Sequence, residues 1–336
     1  MTQPLFEMID VDVAFHLKDG TYKALDGISF EIQQNEIVGI VGESGCGKSL
    51  TSLTMMNLLH RSSERTAGKM RLNGKVLNEQ TDWHQIRGNE MAMIFQEPMT
   101  ALNPLMTIGK QMTESLKQHT NLSKNERKEK AYEVMREVGL SRVETLYRSY
   151  PHELSGGMRQ RVVIAMALIN EPDLIIADEP TTALDVTIQA QILHVFKSVM
   201  KKRQSSLVFI SHDLGVIKEI CDRVIVMYAG RIIETGAVED VFSHPKHPYT
   251  KGLLRAIPTY SKRGYPLYTI PGTVPPLQER KNGCLFVDRC AERMPQCIVD
   301  RPFITGELGH YASCHLIYEE DGVDADDSAR KCLQNI

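Results

Sequence analysis

The sequence predicts an α/β fold: a parallel sheet covered by helices, interrupted by a helical insertion and followed by a small, irregular, cysteine-rich C-terminal part. Three observations carry that expectation. Short apolar runs at 174–177 and 207–211 alternate with stretches of helical character, as buried parallel strands do. A glycine-rich turn at 42–49 joins a strand to a helix. After about residue 236 periodicity is lost and prolines cluster, among them Pro245, Pro248, Pro258, Pro271, Pro275 and Pro276.

Taken in order, residues 5–15 partly alternate apolar and polar and read as a strand. Strands are expected at 28–32 and 36–41, around the polar turn Gln33-Gln34-Asn35, and then a helix over 47–59. A short buried strand follows at 91–95, and 107–143 reads as helical. Ser123 and Glu126 have capping-box spacing. The body of that helix, 124–138, is strongly charged and reads as largely solvated. Helices at 156–169 and 188–202 alternate with the strands at 174–177 and 207–211. The acidic, then polar residues 319–336 are expected to be disordered.

Composition excludes several classes. The chain has 336 residues, enough for two domains of about 150 residues each. Its apolar fraction is 42% and its net charge −3, with no basic footprint for nucleic acid. No apolar run approaches the roughly 18 residues that span a bilayer. The first ten residues contain acids and no basic start, so no secretory signal is read there. These features place the chain in the cytosol, where its seven cysteines are not expected to pair as disulfides.

The chemistry concentrates in short motifs. Gly42-Glu43-Ser44-Gly45-Cys46-Gly47-Lys48-Ser49 is a complete phosphate-binding loop. Its glycines let backbone N–H groups face phosphate oxygens, and the following helix adds its positive end. Lys48 would reach the β- and γ-phosphates of ATP and Ser49 would ligate Mg²⁺. The apolar run 174–177 ends in Asp178 and Glu179, one placed to hold Mg²⁺ and the other to polarise a water. Ser155 caps a helix that opens with Gly156-Gly157-Met158, a second anion site that one ATP does not need.

The order of these motifs resembles the ATP-binding cassette family, the motors of ABC transporters, over about residues 5–236. Leu154-Ser155-Gly156-Gly157 looks like that family's signature, which closes over ATP held by a second cassette. The resemblance implies a P-loop ATPase with a parallel-sheet core, an antiparallel β subdomain and a helical subdomain at about 97–150. It implies that Gln96 contacts Mg²⁺ and the attacking water, that His212 contacts the γ-phosphate, and that Asp185 lies in the loop joining two cassettes. Phe15 sits where an aromatic ring would stack on adenine, with Tyr22 a weaker candidate and core packing the plainer reading. Met158 departs from the family's usual glutamine, a change that bears on the partner's nucleotide.

Beyond residue 236, His244-Pro245-Lys246-His247-Pro248-Tyr249-Thr250 and Pro271-Gly272-Thr273-Val274-Pro275-Pro276 look like the C-terminal extension, here 237–318, of ATPases in the oligopeptide and dipeptide permease group. Cys284, Cys290, Cys297 and Cys314 can reach one centre. Four thiolates suit tetrahedral zinc, for which the nearby His310 and His315 could substitute as ligands, or an iron–sulfur cluster; the tight cysteine pairs of zinc ribbons are absent, and unligated structural thiols are the remaining reading. Similar subunits carry a [4Fe-4S] cluster at matching cysteines. The resemblance further implies a second homologous ATPase subunit, two membrane permease subunits docked near Gln96 and the insertion, an extracytoplasmic peptide-binding protein, and a peripheral place on the cytoplasmic face of the membrane. The alternatives are another substrate, such as nickel or glutathione, or a non-transport cassette acting on nucleic acid or the ribosome.

Overall fold

The computed structural model describes residues 3–97, 101–182, 184–258, 266, 268–307 and 309–317. The tail at 319–336, expected to be disordered, and Cys332 lie outside them. In chain order the elements are β1 (Phe6–Leu17), β2 (Gly20–Ile32), β3 (Ile37–Val41), α1 (Lys48–Met55), β4 (Ser63–Leu72), β5 (Lys75–Leu77), β6 (Met91–Ile94), α2 (Ile108–His119), α3 (Lys124–Glu137), α4 (Gly156–Leu168), β7 (Leu174–Asp178), α5 (Val186–Arg203), β8 (Ser206–Ile210), α6 (Leu214–Ile220), β9 (Arg223–Tyr228), β10 (Arg231–Ala237), α7 (Val238–Ser243), α8 (Pro248–Ala256), β11 (Thr305–Glu307) and β12 (His310–Ala312). They form two compact units.

The first unit gathers residues up to Ile32, Val38–Asn78 and those from Ser211 onward. It holds the antiparallel sheet β2-β1-β4-β5. Phe6, Met8, Val11, Val13, Leu25 and Ile28 bury its inner face. In the same unit β3 pairs in parallel with β9, which continues antiparallel through β10 to β12 and β11. The C-terminal part is therefore less irregular than its sequence reads. Among its described residues are the helices α7 and α8, a further short helix at Gln296–Val299, and two short strands at the edge of β10. Pro248 at the first turn of α8, with His247 capping it through Nδ1, fixes where that helix begins.

The second unit comprises Gln33–Ile37 and Glu79–Ile210. Its strands β6, β7 and β8 run parallel, and every residue of β7 and β8 is buried. Ile192, Phe196, Val199 and Met200 lie on one face of α5, with Phe196 edge-on to Phe209 at 5.6 Å. The stretch 107–143 is not one helix: it breaks between His119 and Lys124, where Ser123 and Glu126 form the capping box read from the sequence. The charged α3 is also less solvated than expected, because Ala131, Tyr132, Val134 and Met135 are buried.

Candidate functional site

The phosphate loop lies between β3 and α1. Gly42 (φ 154°) and Gly47 (φ 100°) take backbone shapes that side chains resist. A Cβ on Gly42 would come 2.4 Å from the Met227 carbonyl, and one on Gly47 2.8 Å from Leu25. Lys48 is only 6% exposed. Its Nζ donates to the carbonyls of Gly42 and Glu43, at 2.9 and 3.1 Å. Ser44, Gly45 and Ser49 are exposed, so the mouth of the loop is open. Cys46 is not a bare loop residue: it is fully buried, with its Sγ 3.8 Å from the Tyr249 hydroxyl. In the same unit, Phe15 pairs with Tyr22 across β1 and β2 and is half-buried, and His212 is exposed ahead of α6.

The second unit brings together residues read separately from the sequence. β7 ends at the buried Asp178, and Glu179 follows with φ 47°, a left-handed conformation directly before Pro180. The Glu179 N–H donates to the Ile210 carbonyl at 3.0 Å. Its carboxylate Oε2 accepts from Gln96 Nε2 at 3.1 Å and from the Thr182 hydroxyl at 3.0 Å. No sequence motif singles out Thr182. Only its place three residues past Glu179, in the turn after a strand, is a usable signal.

The signature residues open α4 as expected. The Ser155 hydroxyl accepts from the Met158 N–H at 3.4 Å, and Ser155 and Gly156 are exposed. A Cβ on Gly157 would meet Ile188 Cγ2 at 2.9 Å. Asp185 caps α5, accepting from the Ile188 N–H at 3.0 Å. The signature turn and the Asp185 loop are therefore neighbours through Gly157 and Ile188.

Comparison with known proteins decides the family. The ABC transporter family matches residues 25–182, and the C-terminal region of oligopeptide/dipeptide transporters matches 233–297. The oligopeptide transport ATP-binding protein AppD of Bacillus subtilis is 47% identical over 324 residues, 95% of this chain and 98% of its own. This chain belongs to the ATP-binding proteins of the oligopeptide/dipeptide ABC transporter family. The dipeptide transport ATP-binding proteins DppD of Bacillus subtilis (48% identical, covering 86% of this chain and 87% of that one) and of Escherichia coli (41%, 95% and 98%) are further relatives. Among solved structures, the dimeric ATP-binding cassette MJ0796, in a post-hydrolysis state bound to ADP and Pi, superposes with a TM-score of 0.62. It is 27% identical and covers 69% of this chain and 98% of its own. The ABC ATPase fold expected from the sequence is therefore the fold of this family member, and ATP hydrolysis is its reaction. No helix among the described residues is long and apolar enough to cross a membrane.

The four cysteines of the ABC protein's C-terminal part do converge. Cys284, Cys290, Cys297 and Cys314 line one cavity of about 10 Å³, beside Phe286 and His315. The Cys284 N–H donates to the Cys297 carbonyl at 2.8 Å, tying two of the segments together. Burial pushes the Cys284 thiol up to about 11 and the Cys314 thiol up to about 12. Among the described residues, no three His, Cys, Asp or Glu side chains are arranged to hold a metal ion.

Proposed function

We propose that this chain is the ATP-hydrolysing subunit of an importer for di- or oligopeptides. The observation that carries this is the likeness along nearly the whole chain, C-terminal part included, to AppD, a protein named for oligopeptide transport. In this reading residues 1–236 form the nucleotide-binding domain, with the helical subdomain at about 97–150. Residues 237–318 form the peptide-permease-type C-terminal domain. The chain pairs with a second homologous ATPase subunit on the cytoplasmic face of the membrane. It drives two permease subunits fed by an extracytoplasmic peptide-binding protein, and it binds no nucleic acid.

The phosphates of ATP take the place in which Lys48 Nζ now bonds to loop carbonyls, and the exposed loop N–H groups receive their oxygens. Phe15 stacks on adenine. Ser49, Gln96 and Asp178 would hold Mg²⁺, which supplies positive charge to the phosphate oxygens. Glu179 takes the proton of the attacking water, and His212 contacts the γ-phosphate. Ser155, Gly156, Gly157 and Met158 close on the partner's nucleotide, with Asp185 at the joint between cassettes. ATP-driven closure and release then act on the permeases through the helical insertion.

Four thiols without a tight cysteine pair favour a [4Fe-4S] cluster over one zinc ion at the C-terminal cavity, which His247, Glu292 and His315 also line. Cys284, Cys290, Cys297 and Cys314 would hold the cluster, and the thiols must spread to admit it, because about 10 Å³ is room for roughly one water. Bound, it supplies four iron–sulfur bonds that cross-link the segment. Anaerobic purification followed by metal analysis tests this: iron and labile sulfide support it, and zinc without iron overturns it.

The transport reading is tested by reconstituting the chain with its neighbouring permeases in vesicles. Stimulation of ATPase by peptide-loaded binding protein is expected. Stimulation by a loaded nickel or glutathione binder, with none by peptides, would assign the other substrate.

A further inference from the structure

Within one compact unit the C-terminal part reaches the phosphate loop directly, chiefly at Glu43 and also, through the Tyr249 hydroxyl, at Cys46. The Glu43 N–H donates to the Tyr249 hydroxyl at 2.8 Å. The Glu43 carboxylate receives both terminal nitrogens of Arg289, Nη1 at 2.7 Å and Nη2 at 3.0 Å. Its carbonyl accepts from Lys48 Nζ and from the Cys46 N–H. Each polar group of Glu43 is thus engaged, two of them by residues more than 200 positions away in sequence.

Both anchors are themselves fixed. Tyr249 is fully buried, with its ring edge-on to Tyr228 at 4.8 Å and Phe286 at 5.4 Å. Burial keeps its phenol protonated. The Arg289 side chain is 6% exposed. Its Nε donates to the Pro271 carbonyl at 2.8 Å, and its guanidinium lies over the rings of Tyr228 and Phe286. A planar fork so held fixes the angle as well as the position of a carboxylate.

We propose that Arg289 and Tyr249 are positioning residues for ATP binding: they hold Glu43, and through it the carbonyls that cradle Lys48, in the shape that receives the phosphates. Arg289 has a second effect. A carboxylate in a loop that takes up a polyphosphate repels it, and the bidentate pairing cancels that charge. The two anchors flank the cysteine cavity, since Arg289 directly precedes Cys290 and Phe286 lines the cavity.

The inference rests on the loop being the ATP site, and the two can fail separately. Absence of ATP binding by the wild-type complex sinks the site itself. The test uses the chain assembled with its partner ATPase and permeases, with a ribose-labelled fluorescent ATP for affinity and phosphate release for turnover. Arg289→Gln is expected to raise the Kd and the KM for ATP about tenfold while kcat stays within about twofold. Adding Glu43→Gln to that variant recovers only the part of the lost affinity owed to the uncompensated carboxylate; the part owed to the missing fork remains. Tyr249→Phe, which keeps the ring packing, raises KM about threefold and lowers the melting temperature little. If Arg289→Gln fails to assemble, Arg289→Lys, with the charge but not the fork, is expected to give an intermediate KM. A wild-type KM in the Arg289 and Tyr249 variants overturns the proposal, and so does complete recovery of affinity by Glu43→Gln, which would make charge alone the cause.

Discussion

Gln96 donates its side-chain amide to Glu179 at 3.1 Å, on the same carboxylate oxygen that accepts from the Thr182 hydroxyl at 3.0 Å. Two donors on one oxygen hold the carboxylate in a single orientation, as the proposed general base requires. The backbone adds to this. Glu179 sits at φ 47° directly before Pro180, a costly conformation kept by the surrounding structure, including the Ile210 carbonyl.

Glu179→Gln keeps the shape of the side chain and removes the carboxylate proposed as the base. Nucleotide affinity should be unchanged and turnover should fall by at least about 100-fold. Thr182→Val removes one of the two orienting donors and should cost about tenfold in kcat with little change in KM. Single-turnover phosphate release measures both. Normal turnover in Glu179→Gln at both composite sites would remove Glu179 from its role.

Lys48 bonds within the loop to the very carbonyls that shape it, at Gly42 and Glu43. Its ammonium is a compact charge in a space that leaves it 6% exposed. Lys48→Ala should weaken ATP binding by at least about 100-fold, the loss of a charge-assisted contact to phosphate. Lys48→Arg should fail almost as fully, because a planar fork does not fit where a point charge does. Titration with fluorescent ATP decides, and wild-type affinity in Lys48→Arg would show that the loop is looser than it looks.

Motifs that act through adjacent residues were legible in the sequence. The loop at Gly42–Ser49 (φ-demanding glycines, then a helix) and the acidic end of β7 need only local order to be recognised. Ser155 and Ser123 announce helix starts by the same logic, and both cap. What stayed hidden depends on distance or on polar surfaces. β4 escaped notice because most of its residues face solvent and only Ser63, Met70 and Leu72 are buried, so there is no clean alternation. β12 is three residues long and is a strand only because β10 offers it an edge. Glu43 and Arg289 lie 246 residues apart, and no window along the chain contains both. Tyr249 sat in a motif recognised by resemblance, yet its hydroxyl's partner follows only from the fold.

The signature turn yields a prediction that separates one chain from two. Ser155 caps α4, and Gly157 leaves room for Ile188 where a side chain would not. Ser155→Ala should cost about 1 kcal/mol of stability through the lost cap. Gly157→Val forces Ile188 aside at the Asp185 loop. If these residues act on a partner's nucleotide, both variants should bind ATP normally through their own loop and still slow turnover of the two-ATPase assembly. Equal loss of binding and turnover in the isolated chain would instead place the signature on its own ATP.

Away from the nucleotide, Arg203 at the end of α5 ties α3 to the end of α4 within the second unit. Its Nε donates to both Glu137 oxygens at 3.2 and 3.0 Å, its Nη2 also reaches Glu137, and its Nη1 donates to the Leu168 carbonyl at 2.6 Å. The two side chains are 11% and 9% exposed. Burial alone would raise the Glu137 pKa, but Arg203 and Lys202 outweigh it and hold the carboxyl below its ordinary 4.5. Between that depressed value and 4.5 the unfolded chain binds more protons than the folded one, so stability falls as pH falls. The pair's contribution is therefore complete above about pH 5 and drains away as pH drops through the folded value. Arg203→Met leaves a carboxylate in a nearly closed site with only Lys202 beside it, and should cost about 3 kcal/mol at pH 7. Adding Glu137→Gln removes the uncompensated charge and should return part of that loss. Glu137→Gln alone should flatten the acid limb, measured as urea midpoints from about pH 6 to 3.5. An acid limb as steep in Glu137→Gln as in the wild type would assign the acid sensitivity to other carboxylates.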